Sequence, residues 1–117
     1  MNKLIPVLAI LFLLSSCGEP KTVTLIKTSS DGKTKVTITG KKEAMGPFNT
    51  VLTVKSGDIP EGSLIFEVYA DDLNDKNVRF DWADAQHAVI TFTQRDNTQR
   101  LFRLSVSDTQ VLVVPLQ

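Results

Sequence analysis

The sequence predicts an all-β fold: an antiparallel β-sandwich or small barrel of about eight strands, mostly a meander, after a cleaved N-terminal signal helix. Three observations carry the expectation. From Thr22 onward, apolar residues recur with a period of two. Clusters of Gly, Asn, Asp, Ser and Pro interrupt that pattern at short intervals. Beyond the leader, no window holds apolar residues at helical spacing.

The elements follow in order. Thr22-Val23-Thr24-Leu25-Ile26-Lys27 is β-rich, with Val23 and Leu25 alternating with threonines. Asp31-Gly32 then sits between two alternating runs, a strong hairpin signal. Lys35 to Thr39 returns with Val36 and Ile38 inward, so the first two strands should pair. Gly40 to Asn49 is the longest break, and Gly46-Pro47 marks a turn in it. Met45 and Phe48 are apolar residues within that break. They are expected to plug one end of the sheet stack, the functional alternative being contact with a partner or lipid.

Thr50 to Lys55 is a third strand, and Gly57 to Gly62 is expected as a turn-rich loop. Leu64 to Ala70 is a fourth strand, with Leu64, Phe66, Val68 and Ala70 on one face. Asp71 to Asn77 is a polar loop. Val78 to Trp82 alternates cleanly, Val78, Phe80 and Trp82 in, Arg79 and Asp81 out. Ala83 to His87 turns the chain, and Ala88 to Gln94 returns with Ala88, Ile90 and Phe92 inward. After a turn at Arg95 to Gln99, Arg100 to Val106 points Phe102, Leu104 and Val106 inward. Ser107 to Gln110 turns again. Val111 to Val114 is the last strand, and Pro115 fits only an edge or a strand end.

The first residues have a different character. Lys3 precedes an apolar run from Leu4 to Leu14, and the small residues Ser15-Ser16 follow. A basic tip, a short apolar core and small residues before a cut are the marks of a secretory signal. The run is too short to span a bilayer, which takes about 20 residues. Leu14-Ser15-Ser16-Cys17 resembles the lipobox of bacterial lipoproteins, an aliphatic residue, two small residues and an obligatory cysteine. The resemblance covers only the leader. It implies a diacylglyceryl group on the Cys17 sulfur and cleavage before Cys17, commonly with a further chain such as palmitate on the new amine. It divides the chain into residues 1–16 as signal peptide, 17–21 as lipidated cysteine and short tether, and 22–117 as one all-β domain. An aspartate after the cysteine tends to hold such proteins in the inner membrane. Gly18 therefore implies the outer membrane, periplasmic face, where the source has two membranes.

Composition narrows the function classes. About 100 residues remain after the leader, enough for one modest core. Loss of Lys3 leaves 12 basic against 13 acidic residues, a balance unlike that of nucleic-acid binders. The charge is uneven along the chain. Lys21 to Lys55 holds seven lysines against Asp31 and Glu43, and Asp58 to Asp84 holds eight acids against Lys76 and Arg79. Neighbouring strands are expected to set these blocks against one another; the sharper reading turns the lysines toward anionic headgroups. Cys17 is the single cysteine, so an intrachain disulfide, a CxxC pair and a thiolate zinc site are excluded.

No chemical constellation in the sequence is complete. Asp71-Asp72-Leu73-Asn74-Asp75-Lys76-Asn77 fails the calcium-loop pattern, because Lys76 or Leu73 falls where an oxygen ligand belongs and no glycine or closing glutamate follows. His87 is the single histidine, short of a zinc set or a triad, and reads as an exposed turn residue. Asp81 and Asp84 could mimic a glycosidase pair, but a small meander offers little cleft. The expectation is therefore a non-enzyme with no cofactor and no metal site. It would be a binding or accessory module held at the membrane by acyl chains on Cys17 and meeting an envelope protein partner through sheet edges and loops. The alternatives are a carrier, with Phe66, Phe80, Trp82 and Phe102 lining a cavity for an apolar ligand, and an inhibitor of an enzyme such as lysozyme. Small lipoproteins that inhibit lysozymes are similar in architecture, though this chain lacks the disulfide cysteines many of them carry.

Overall fold

The computed structural model describes residues 20–116. The leader and the expected lipidation site Cys17 lie outside the described residues. Eight strands run in order: β1 (Lys21–Thr28), β2 (Thr34–Lys42), β3 (Phe48–Ser56), β4 (Ile59–Val68), β5 (Val78–Asp84), β6 (His87–Thr93), β7 (Gln99–Val106) and β8 (Val111–Pro115). They form two four-stranded antiparallel sheets, β1-β2-β3-β4 and β5-β6-β7-β8, each a plain meander. The fold is thus the sandwich of the two expected alternatives.

Alternation explains the core. Val36, Ile38, Leu52, Val54 and Val68 from the first sheet, and Ile90, Phe92, Phe102 and Leu104 from the second, have no exposed surface. Phe66 of β4 bridges the sheets. Its ring lies 4.2 Å from that of Phe102 and 5.1 Å from that of Phe92, and Phe92 meets Phe102 edge-on at 5.7 Å. The Arg100 guanidinium covers this cluster, 5.8 Å from Phe66 and 5.7 Å from Phe102, and donates to the Glu67 carbonyl at 2.9 Å. The aromatic set expected to point inward at these positions fills the space between the sheets.

The hairpins close as their turn residues dictate. Gly32 takes φ +76°, and Asp31 accepts hydrogen bonds from the Ser29 hydroxyl and the Lys33 amide. Asn97 takes φ +70° in the β6–β7 turn, a conformation asparagine tolerates. Several boundaries differ from expectation. Gly40 to Lys42 extend β2, and Phe48 and Asn49 open β3, leaving a shorter break. The loop expected over Gly57 to Gly62 is a tight turn at Gly57 and Asp58, with φ +51° at Gly57, and β4 already begins at Ile59. Pro60 fits there because β4 is an edge strand, with a bulge opposite at Val54/Ser56. Ala83 and Asp84 belong to β5, and His87 opens β6 instead of lying in the turn. Leu73, within the polar loop, is 1% exposed.

The two charge blocks do meet. Lys21 pairs with Asp72 at 3.3 Å, Lys27 with Asp75 at 3.0 Å and Lys42 with Asp71 at 3.9 Å. Four carboxylates in or next to loops and turns also accept hydrogen bonds that hold their pKa below the ordinary 3.8. For Asp31 the main cause is the Ser29 hydroxyl, for Asp72 the Leu73 amide, for Asp84 the Gln86 amide, and for Asp96 the Thr98 hydroxyl. A lowered folded-state pKa means that the unfolded chain binds more protons in that window. These contributions are complete above the unfolded value and are lost as pH falls through the folded one. Thermal unfolding followed by circular dichroism is expected to give a flat midpoint from about pH 7 to 5 and a falling one below about pH 4. A midpoint that rises on acidification contradicts the assignment.

Candidate functional site

The two long sides of the sandwich are built differently. On one side the edges of β4 and β8 abut: a Cβ placed on Gly62 would lie 2.9 Å from Val111 Cγ1 and 3.2 Å from its carbonyl oxygen. Pro60 on β4 and Pro115 on β8 blunt both edges further. On the other side β1 and β5 are also edge strands, and a groove opens there. Lys27, Asp75, Val78, Arg79, Phe80 and Trp82 line a cavity of about 350 Å³.

The groove follows from the position of β5. Val78, Phe80 and Trp82 alternate inward as expected, but among the described residues no further strand covers them beyond the β5 edge. Val78 reaches the core and is 3% exposed. Phe80 and Trp82 are only half-buried and pack against the core, as do half-buried Val23 and Leu25 of β1. Polar groups rim this apolar floor. Lys27 and Asp75 form one ion pair, and Arg79 Nε donates to Asp81 Oδ2 at 2.9 Å to form another. The lining holds no serine, threonine, cysteine or histidine. What it offers is two half-buried aromatic side chains beside strand edges that pair with no further strand among the described residues.

Of the candidate chemical residues, Asp75 and Asp81 sit at this groove, each in an ion pair, and the others lie elsewhere. His87 Nδ1 meets Asp84 Oδ1 at 2.8 Å, clasping the β5–β6 turn. Ser105 is the ladder partner of His87, and no hydrogen bond joins the two side chains among the described residues. Asp81 is engaged by Arg79, and Asp84 by His87 and the Gln86 amide. The acidic loop is structural. Asp72 accepts from the Leu73 amide at 2.9 Å, Asn74 from the Lys76 amide at 2.9 Å, and Asn77 from the Asn74 amide at 2.9 Å. Among the described residues no group of three His, Cys, Asp or Glu side chains is placed to hold a metal ion.

Alternation assigns Phe80 and Trp82 to the inner face, where they lie, and gives no sign of the groove. Period-two patterning reports the face a residue occupies, and it is silent on whether its strand is central or at the edge. Comparisons with protein-family models, curated proteins and solved structures give no match.

Proposed function

We propose that this chain is a non-catalytic binding module of a bacterial envelope, held at the membrane by acyl chains on Cys17, and that it receives an extended segment of another envelope protein in the β1/β5 groove. The leader ending in Leu14-Ser15-Ser16-Cys17 supports the anchor and, with Gly18, an outer-membrane address on the periplasmic face. The observation that carries the binding mode is the asymmetry of the two sides. The β4 and β8 edges are blunted and abut, whereas β1 is an eight-residue strand with neither proline nor bulge in its ladder. Such an edge presents unpaired N–H and C=O groups and accepts an added strand, whose alternate side chains fall into a neighbouring groove. Phe80 and Trp82 supply the apolar floor for those side chains. The exposed Lys27–Asp75 pair opens at little cost to admit them. The Phe66–Phe92–Phe102 cluster fills the interior, which supports binding at the surface over carriage of an apolar ligand between the sheets.

Two experiments test this reading. Growth with a clickable fatty acid is expected to label the wild type and not Cys17→Ser; an unlabelled wild type removes the anchor. For the groove, a photo-crosslinking residue at Lys27 is expected to yield a discrete adduct in intact cells, with peptide mapping placing the link in an extended stretch of the partner. The same residue at Asp108, in the turn before β8, is expected to yield none. Equal adducts at both positions, or none at Lys27, count against the groove.

A further inference from the structure

The four inter-strand turns at one end of the sandwich differ in character from the connections at the other. The β1–β2, β3–β4, β5–β6 and β7–β8 turns share one end, and their residues are polar or small: Ser29 to Lys33, Gly57-Asp58, Ala85-Gln86 and Ser107 to Gln110. The opposite end holds the start of β1, the β2–β3 hairpin tip, the chain between β4 and β5, the polar β6–β7 turn and the end of β8. There Met45 is 88% exposed at the hairpin tip and Tyr69 is 52% exposed just after β4. Met45 is the most exposed large apolar residue among the described ones. Its neighbour Gly46 takes φ +116°, a conformation that favours glycine and turns the chain sharply enough to leave the methionine at the apex. Phe48, by contrast, is fully buried and plugs the sheet stack. The two apolar residues of this break have therefore parted company, one inward and one outward.

The chain's own geometry says what the outward one meets. Lys21, the first residue of β1, is paired in register with Lys42 at the end of β2. Cys17 precedes Lys21 by four residues, a reach of at most about 14 Å. Met45 follows Lys42 by three residues in the bend that joins β2 to β3, so it lies at most about 10 Å beyond the strand end. A cysteine acylated at that distance brings the bilayer surface to the level of the hairpin tip.

The charges at this end are mixed, and several are paired with one another. Asp72 is held by Lys21, and Asp71 by Arg95 at 2.9 Å and by Lys42, so these two carboxylates meet the headgroups already compensated, whereas Glu43 in the tip and Asp96 in the β6–β7 turn are exposed. The Lys42 ammonium is drawn inward to the Ala70 carbonyl, whereas Lys41 stays exposed at the base of the tip. Tyrosine favours the membrane–water boundary, and methionine is a flexible apolar side chain that inserts without a fixed partner.

Resting on the proposed acylation of Cys17, we infer that the β2–β3 hairpin tip is a second membrane contact, with Met45 entering the boundary between headgroups and acyl chains and the strands standing steeply on the bilayer. The end bearing Asp108 then points away, roughly 25–30 Å off by strand length. The groove lined by Lys27, Phe80 and Trp82 then stays open to partners beside the membrane.

The test uses the mature acylated protein, purified from its membrane and reconstituted in vesicles of phosphatidylethanolamine and phosphatidylglycerol. Met45→Cys and Asp108→Cys variants carry an environment-sensitive fluorophore on the introduced thiol, the Cys17 sulfur being capped. Flotation of the protein with the vesicles reports the anchor independently of the hairpin. The expected result is blue-shifted emission at position 45, quenched several-fold more strongly by spin-labelled lipids than at position 108. The quenching depth should lie within about 10 Å of the headgroup boundary. Co-flotation with an unquenched label at position 45 overturns the hairpin contact and leaves the anchor standing. Quenching at position 108 instead overturns the orientation. Failure to float overturns the anchor itself and the inference with it.

Discussion

Replacing Phe102 by alanine is expected to destabilise the sandwich by roughly 3–5 kcal/mol, the cost of removing a large buried aromatic side chain. Phe102 is fully buried and touches both other rings of the central cluster, Phe66 across the sheets and Phe92 on the neighbouring strand. Its loss opens a void that neither sheet can close without breaking its own ladder, because Phe102 is held in register by Ile90 on one side and Pro115 on the other. Arg100 loses one of the two rings its guanidinium covers. For a domain of this length each kcal/mol moves the midpoint of thermal unfolding by about 4–8 °C, so a drop of at least about 12 °C is expected. Against a usual total of 5–15 kcal/mol, that leaves the variant close to the unfolding threshold. Ile65→Ala is the matched control. Ile65 is 76% exposed on the outer face of β4 and its truncation is expected to stay within about 0.5 kcal/mol. Chemical denaturation of the two variants beside the wild type measures both. A Phe102→Ala cost below about 1 kcal/mol would mean that the centre of the sandwich is not packed as described.

The same residues illustrate how much was legible beforehand. Val36, Ile38, Phe66, Val68, Ile90, Phe92, Phe102 and Leu104 were each assignable to the inner face, because alternation couples sequence directly to side-chain direction. Asp31-Gly32 announced its hairpin through backbone chemistry that few other residues share. Elsewhere a local signal was outvoted by surroundings no short window contains. Pro60 and Gly62 read as loop residues, yet β4 needs no outward hydrogen bonds at Pro60, and Val111 of the other sheet leaves no room for a side chain at Gly62. His87 read as a turn residue, and a single residue of drift places it in β6 opposite Ser105. The half-buried floor of Phe80 and Trp82 was hidden for the same reason: whether a strand has a neighbour is decided by chain order in space. Asp71, Asp72 and Asp75 resembled a loose metal loop by composition, and what they engage, Arg95, Lys42, Lys21 and Lys27, is distant in sequence.

Gly40 is the sharpest instance, and it yields the second large effect. Its place at the head of a polar stretch suggested a chain break, but it sits in β2 opposite Val23 and Thr50. A Cβ built there would lie 2.5 Å from Leu73 Cδ1 and 3.0 Å from Phe48 Cδ1. Glycine is required for want of space, since its φ lies outside the positive range. Leu73, carried by the loop between β4 and β5, packs into the gap left by the missing side chain and is thereby buried. Gly40→Ala is therefore expected to cost about 1–3 kcal/mol, the range for overpacking a filled core. Leu73→Ala alone is expected to cost about 2–5 kcal/mol by opening a cavity. The two changes act on one space, so the double variant should be more stable than the sum of the single effects predicts, by about 0.5–3 kcal/mol. If glycine were present at position 40 only as a strand-weakening accident, alanine would instead stabilise the protein through its lower unfolded-state entropy. Additive costs in a denaturation cycle of the four proteins would show that Leu73 does not lie over Gly40. The loop that carries Asp71 and Asp72 would then lose its apolar attachment to the sheet.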